Sequence, residues 1–270
     1  MDASSSGPVL AEAARRRSAD VVAALAAAEP GALDRSSSLA GWTRLTLVCH
    51  LRYGAVASQR LTTDALAGRP TSFYPGGRSR QRPDTLRPGE SEAPADVVGS
   101  LATQSGRLHE LWARLAPPQW ETVVEEPAAN PDLGRTTIDL VAMMRLTEVE
   151  VHGGDLDVGL DDWSDVFVAH ALPVRLRWLT TRRSNHRAVD TAVIGSWLFA
   201  TTDGPGSVIA TDGRTVTVQA AGHKTTADAV IEGSSRDLLA LLLGRPPRQV
   251  LTFGGDTELA RAFTRAFPGP

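Results

Sequence analysis

Apolar side chains recur every three to four residues through most of the first 181 residues, and this spacing predicts amphipathic helices. The predicted helices cover residues 9–28, 44–66, 94–115, 137–156 and 164–181. Thr43 is the predicted N-cap of the second helix, and Pro173 is expected to kink the fifth. Four long helices before residue 160 are typical of an up-and-down bundle.

The hydrophobic period shortens to two after about residue 190, which predicts strands in place of helices. The predicted strands cover residues 197–201, 208–211, 215–219, 227–231 and 250–253, with Asp212-Gly213 as a hairpin turn. Helices are predicted at 235–243, capped by Ser234 or Ser235 and closed by Gly244, and at 256–267. The expected fold class is therefore α+β in two domains. Residues 1–160 form the helical bundle, 161–190 a helix and linker, and 191–270 a small α+β domain.

The connection over residues 67–95 is rich in glycine and proline and carries five arginines. A connection of this length without regular structure is unusual in a compact domain and is commonly a binding loop or a disordered segment. We expect a partly ordered loop, because Phe73-Tyr74 gives it apolar surface to bury.

The fourth predicted helix carries the first candidate chemistry. At helical spacing, Val141, Met144, Glu148, His152 and Asp155 lie on one stripe. Glu148 and His152 are separated by one turn, so their Cβ atoms lie about 6 Å apart. A carboxylate on an inward face has to be paired, protonated or bound to a metal.

His50 on the second helix shares a face with Leu47 and Tyr53, which points it inward or towards a pocket rim. Together with Glu148 and His152 it would form a three-ligand metal site with an open fourth position. In the alternative, Glu148 pairs with Arg145 on its own helix and both histidines are satisfied core groups. Spacing alone does not show that the two helices face each other.

Composition narrows the function classes. The formal net charge of −3 gives no electrostatic case for nucleic acid binding. Cys49 is the only cysteine, which suits a reducing compartment, and no apolar run reaches the length of a membrane span, so a cytoplasmic location is expected. A nucleophilic pair of Cys49 with His50 is disfavoured, because adjacent helical side chains diverge by about 100°. His109, beside Glu110, is expected at the surface.

Two motifs resemble those of a known family. GWTRLTLVCHL at 41–51 is similar to a signature of the mycothiol-dependent maleylpyruvate isomerase family, within the DinB-like metalloenzyme superfamily. LTEVEVHGGDLDVGL at 146–160 resembles that family's second signature, an E-V-x-x-H-x-x-D helix. The tail resembles the family's small sterol-carrier-like domain, including the L-x-G-R turn at residues 242–245. The resemblance covers nearly the whole chain and implies a DinB-like four-helix bundle followed by a small α+β sheet domain.

The resemblance assigns roles to individual residues. It makes His50, Glu148 and His152 ligands of a divalent metal, with zinc expected, and mycothiol the thiol cofactor or co-substrate. Arg82 falls near an active-site arginine of the family, and Arg245 is a candidate for holding the thiol cofactor or a carboxylate. The sequence departs from the family at Thr46, where an aspartate is usual, so the support of a ligand is expected to differ.

The function expected from this resemblance is attack of a metal-activated thiolate on a small electrophile, with S-transfer favoured. The alternatives are mycothiol-dependent cis–trans isomerisation of maleylpyruvate, a metal-dependent hydrolase and a non-enzymatic ligand-binding protein. A low-molecular-weight thiol and a small electrophile are the expected partners of a monomer or homodimer, with no nucleic acid and no membrane.

Overall fold

The computed structural model describes residues 6–29, 31–128, 133–181, 191–222 and 224–269, and these residues fall into two compact units, Met1–Phe167 and Val168–Pro270. The first unit is helical and the second contains a sheet, so the predicted α+β fold class is confirmed. None of the helices in the described segments combines the length and apolar character that a membrane crossing requires.

Four long helices build the described part of the first unit. They are α1 (Gly7–Ala26), α2 (Arg44–Leu66), α4 (Pro94–Trp112) and α5 (Ile138–Asp155), with the shorter α3 (Arg78–Thr85) between α2 and α4. Both α1 and α2 pack against α4 and α5, so the apolar stripes of all four helices meet in one core. The predicted N-cap of α2 is confirmed, because the Thr43 side chain accepts a hydrogen bond from the backbone N–H of Thr46.

Two connections between these helices contain regular structure that the sequence did not predict. The connection over residues 67–95 contains α3, and Phe73-Tyr74 anchors it as expected, since the Tyr74 side chain is buried and the Tyr53 hydroxyl donates to the Phe73 carbonyl. Before α5, β1 (Val123–Val124) and β2 (Thr136–Thr137) pair as antiparallel strands of two residues each. Strands this short cannot display a period of two.

Helix α6 (Asp165–Thr181) forms where it was predicted, with Pro173 inside it, and crosses the boundary between the two units. The kink expected at Pro173 stays a prediction. In the second unit the sheet consists of β3 (Gly195–Thr201), β4 (Ser207–Thr211), β5 (Val216–Ala220), β6 (Ala229–Gly233) and β7 (Thr252–Gly255). Its order is β5-β4-β3-β6-β7, and only the β3–β6 pair is parallel. The predicted hairpin turn is confirmed between β4 and β5, where Gly213 adopts a positive φ of 82°.

Among the described residues that follow α6, the helices are α7 (Ser235–Leu242), α8 (Thr257–Arg261) and α9 (Phe263–Ala266). Ser234 caps α7 as expected, its side chain accepting from the N–H of Asp237. The single helix predicted at 256–267 is wrong, because the chain forms two short helices there. The break places Phe263 and Phe267 against the buried ring of Trp197.

Candidate metal centre

The structure brings His50, Glu148 and His152 together from α2 and α5. The Nε2 atom of His50 lies 2.5 Å from Oε2 of Glu148, and Nε2 of His152 lies 3.5 Å from the same oxygen. Each residue offers one potential ligand atom, and these three atoms lie within 4.8 Å of one another. Among the described residues, no other group of histidine, cysteine and acidic side chains meets this geometry.

Burial and charge set the protonation states of this cluster. Burial lowers the pKa of His50, which keeps its imidazole neutral near pH 7. Burial alone would raise the pKa of Glu148, but the adjacent His50, His152 and Arg145 side chains outweigh it and lower that pKa. A neutral imidazole and an ionised carboxylate are the forms in which these groups bind divalent metals.

The two histidines differ in how the rest of the protein supports them. Nδ1 of His152 lies 2.8 Å from Oδ2 of Asp155, a buried carboxylate one turn further along α5. Nδ1 of His50 is buried and has no hydrogen-bond partner among the described residues. Thr46, one turn before His50, shares a 3.0 Å hydrogen bond with the hydroxyl of Thr43 instead. The chain therefore supports one candidate ligand with a carboxylate and leaves the other without such a partner.

Trp42 forms an aromatic wall beside the cluster, and sequence reasoning did not single it out. Its ring lies nearly parallel to that of His152, with centroids 6.4 Å apart, and edge-on to that of His50 at 5.6 Å. The available signal was its position immediately before the N-cap of α2, where a large side chain can fold back over the first turns of the helix.

Arg82 lies on α3 rather than in the loop expected for residues 67–95. Its guanidinium carbon is 5.4 Å from the centre of the Trp42 ring, and its charge contributes to the lowered pKa of His50. The Arg82 Nε atom is buried and has no hydrogen-bond partner among the described residues. A guanidinium held over an aromatic face with a donor to spare is suited to binding an anionic group.

A polar cavity of about 220 Å³ lies between α2, α3 and α4, beginning one turn after His50. Its lining residues are Arg52, Tyr53, Val56, Thr85, Ser100 and Gln104. Arg52 is ion-paired with Glu92, so the cavity offers mainly neutral hydrogen-bonding groups.

The remaining sequence expectations have different outcomes. Arg145 does not pair with Glu148 and donates instead to the Leu51 carbonyl and the Ser105 hydroxyl. Arg245 lies in the second unit, after α7, where its guanidinium donates to the Leu243 carbonyl at 3.1 Å. Its role in holding a cofactor or carboxylate stays a prediction.

The chain is similar to known proteins in both sequence and fold. The family model described as the mycothiol maleylpyruvate isomerase N-terminal domain matches residues 11–157. A crystal structure of the mycothiol-dependent maleylpyruvate isomerase is similar in fold, with a TM-score of 0.66 at 19% identity, covering 92% of this chain and 93% of that one. A histidine-to-alanine mutant of that enzyme gives a TM-score of 0.65 at 18% identity with the same coverage. Comparison with curated protein sequences found no match.

Proposed function

Because the chain belongs to the family of the mycothiol maleylpyruvate isomerase N-terminal domain, we propose that it is a metal- and mycothiol-dependent isomerase of maleylpyruvate or a closely similar unsaturated keto acid. S-transfer, the reaction favoured from the sequence, has no specific support in the comparisons, and the isomerase alternative fits them better.

The observation that carries this proposal is the convergence of two imidazoles and one carboxylate from different helices. This donor set suits zinc and leaves coordination positions open for a further ligand. The three side chains are only partly exposed, at 12% for His50, 35% for Glu148 and 14% for His152. The three side chains are therefore sheltered, and Glu148 is the most exposed of them.

The residues around this space have separate tasks in the proposed reaction. His50, Glu148 and His152 would hold the metal, which, when bound, lowers the pKa of a coordinated thiol enough for a thiolate to exist near neutral pH. Arg82 would bind a carboxylate of the substrate. Trp42 would exclude water from one side and keep the Arg82 guanidinium at a fixed height above its ring.

Metal content and activity of the purified protein test this proposal, with His50→Ala beside wild type. We expect about one divalent metal per wild-type chain and mycothiol-dependent turnover of maleylpyruvate, both lost in His50→Ala. His170→Ala is the matched control, because His170 lies on α6 outside the cluster, and it should retain both. A metal-free wild type without turnover would refute the proposal and favour a ligand-binding protein.

Thiol accounting separates the remaining alternatives. Isomerisation returns the thiol, so free mycothiol should stay constant while substrate is converted. Loss of one thiol for each substrate consumed would identify an S-transferase. Turnover of an ester or amide substrate without any added thiol would identify a hydrolase, with water in the open position.

A further inference from the structure

Arg145 is a buried cation inside the helical bundle, on α5 and one turn before Glu148. Its side chain is almost fully buried, with 1% of the residue exposed. Nη1 donates to the Leu51 carbonyl at 2.8 Å and Nη2 donates to the Ser105 hydroxyl at 3.0 Å, whereas Nε has no partner among the described residues. A buried guanidinium whose hydrogen-bond partners are all neutral is costly for stability and calls for another explanation.

The position of the two hydrogen bonds supplies a geometric explanation. Leu51 directly follows His50 on α2, and Arg145 lies three residues before Glu148 on α5. The guanidinium therefore connects the backbone beside one candidate ligand to the helix turn that carries another. Ser105 adds an attachment to α4, so three of the four bundle helices meet at this side chain.

The space for this connection comes from Gly54 on α2. A methyl group placed on Gly54 would lie 3.4 Å from Nη1 of Arg145, at the edge of ordinary contact. The φ of Gly54 is not positive, so the backbone does not require glycine there. Glycine weakens a helix interior relative to alanine, and its presence is consistent with α2 leaving room for the guanidinium.

Arg145 and Glu148 are three residues apart on α5 and therefore lie on the same face of the helix, which places a buried cation next to a candidate ligand.

We propose that Arg145 is a positioning residue of the candidate metal centre, setting the spacing between the α2 backbone beside His50 and the turn of α5 that carries Glu148. This inference deepens the proposed function and rests on its metal site. Arg17 is the contrasting case: it is a buried arginine on α1 that pairs with Glu150 of α5 at 3.1 Å.

Arg145→Met separates positioning from structural support. Its partners are not stranded by the change, because the Leu51 carbonyl lies within α2 and the Ser105 hydroxyl can donate to a carbonyl of its own helix. We therefore expect metal-free Arg145→Met to unfold in urea close to the wild-type midpoint. Its metal affinity, measured by competition with a chromophoric chelator, should fall by about tenfold or more.

Arg17→Met is the matched control. It leaves the buried Glu150 carboxylate without its cation, so the urea midpoint should fall clearly while the metal affinity of the folded protein stays within about threefold of wild type. Ser105→Ala keeps the charge but removes one attachment, and it should weaken metal binding by a smaller factor at an unchanged midpoint.

Two results would overturn the inference. One is Arg145→Met binding metal as tightly as wild type. The other is a loss of affinity that only accompanies unfolding while Ser105→Ala binds normally, which would make Arg145 a purely structural residue. Failure of the wild type to bind metal is a different outcome, because it removes the proposed function before any variant is compared.

Discussion

The carboxylate that supports His152 offers the sharpest test of how this centre holds a metal. Oδ2 of Asp155 lies 2.8 Å from Nδ1 of His152 and is 4% exposed at the residue level, so the contact is sheltered from water. Asp155→Asn keeps the size of the side chain and an oxygen that can accept a hydrogen bond, but it removes the negative charge. The variant therefore isolates the charge of the supporting group.

The expected magnitude follows from the role of such partners. Loss of a hydrogen-bond partner behind a metal-bound histidine typically lowers metal affinity by about 10- to 100-fold, which is about 1.4 to 2.7 kcal/mol. Asparagine can still accept from Nδ1, so we expect Asp155→Asn near the lower figure. Asp155→Ala, which removes the acceptor altogether, should lie near the upper one.

Metal affinity is measured by chelator competition on protein shown to be folded by circular dichroism. Asp157→Asn is the matched control, because its side chain is 74% exposed and pairs with Arg44 at 3.0 Å outside the cluster. Its positive φ of 54° is one that asparagine tolerates, so the backbone should not change. Equal affinities of Asp155→Asn and Asp157→Asn would refute the reasoning.

Three further predictions concern other parts of the chain. Burial lowers the pKa of His109 to about 4, so the unfolded chain binds this proton more readily, and the free energy of unfolding falls as the pH drops below 6.5. In urea titrations, His109→Met should lose about 2 kcal/mol less of this free energy than wild type between pH 7 and pH 5. The same pH dependence of the free energy of unfolding in both proteins would contradict this. Trp42→Leu should raise the KM for an anionic substrate by about two- to tenfold, because Arg82 loses the aromatic ring beneath its guanidinium, whereas Trp42→Phe should stay close to wild type. Equal KM values for the two variants in steady-state kinetics would count against a role for this contact. Gly255→Ala should destabilise the second unit by roughly 2 kcal/mol or more, because φ of Gly255 is 63° and the new methyl group would lie 2.5 Å from a backbone oxygen. Gly254→Ala is the control, since a methyl group there meets only ordinary contacts, and equal thermal midpoints for the two variants would refute the prediction.

The helices were predictable where a periodic apolar face coincides with chemical signals at the helix ends. Thr43 and Ser234 cap helices where the sequence placed them, and Gly244 follows α7 with a positive φ of 65°. Helix α3 was missed because its sequence, RSRQRPDT, is nearly all polar and contains Pro83, so it has no apolar period to detect. The contacts at its start are local: the Gly76 N–H donates to the Gln81 side chain, and the Arg78 guanidinium lies over the Tyr74 ring.

The candidate ligands were predictable from the two motifs, but their surroundings were not. The proximity of His50 to Glu148 depends on α2 packing against α5, a contact between segments 98 residues apart. The surface position expected for His109 was wrong, since this residue is 9% exposed and packs against Trp112. Its neighbour Glu110 is exposed, and a sequence does not reveal which of two adjacent polar residues a helix turns inward.

The separation of 98 residues between His50 and Glu148 also bears on how the protein acquires its metal. In the unfolded chain these groups are far apart, and bringing them together without the bundle would cost the entropy of closing a long loop. Metal insertion should therefore follow folding, which first brings the three side chains together. A bound ion would link α2 to α5 in the folded protein only, so resistance to heat and proteolysis should rise with the free metal concentration.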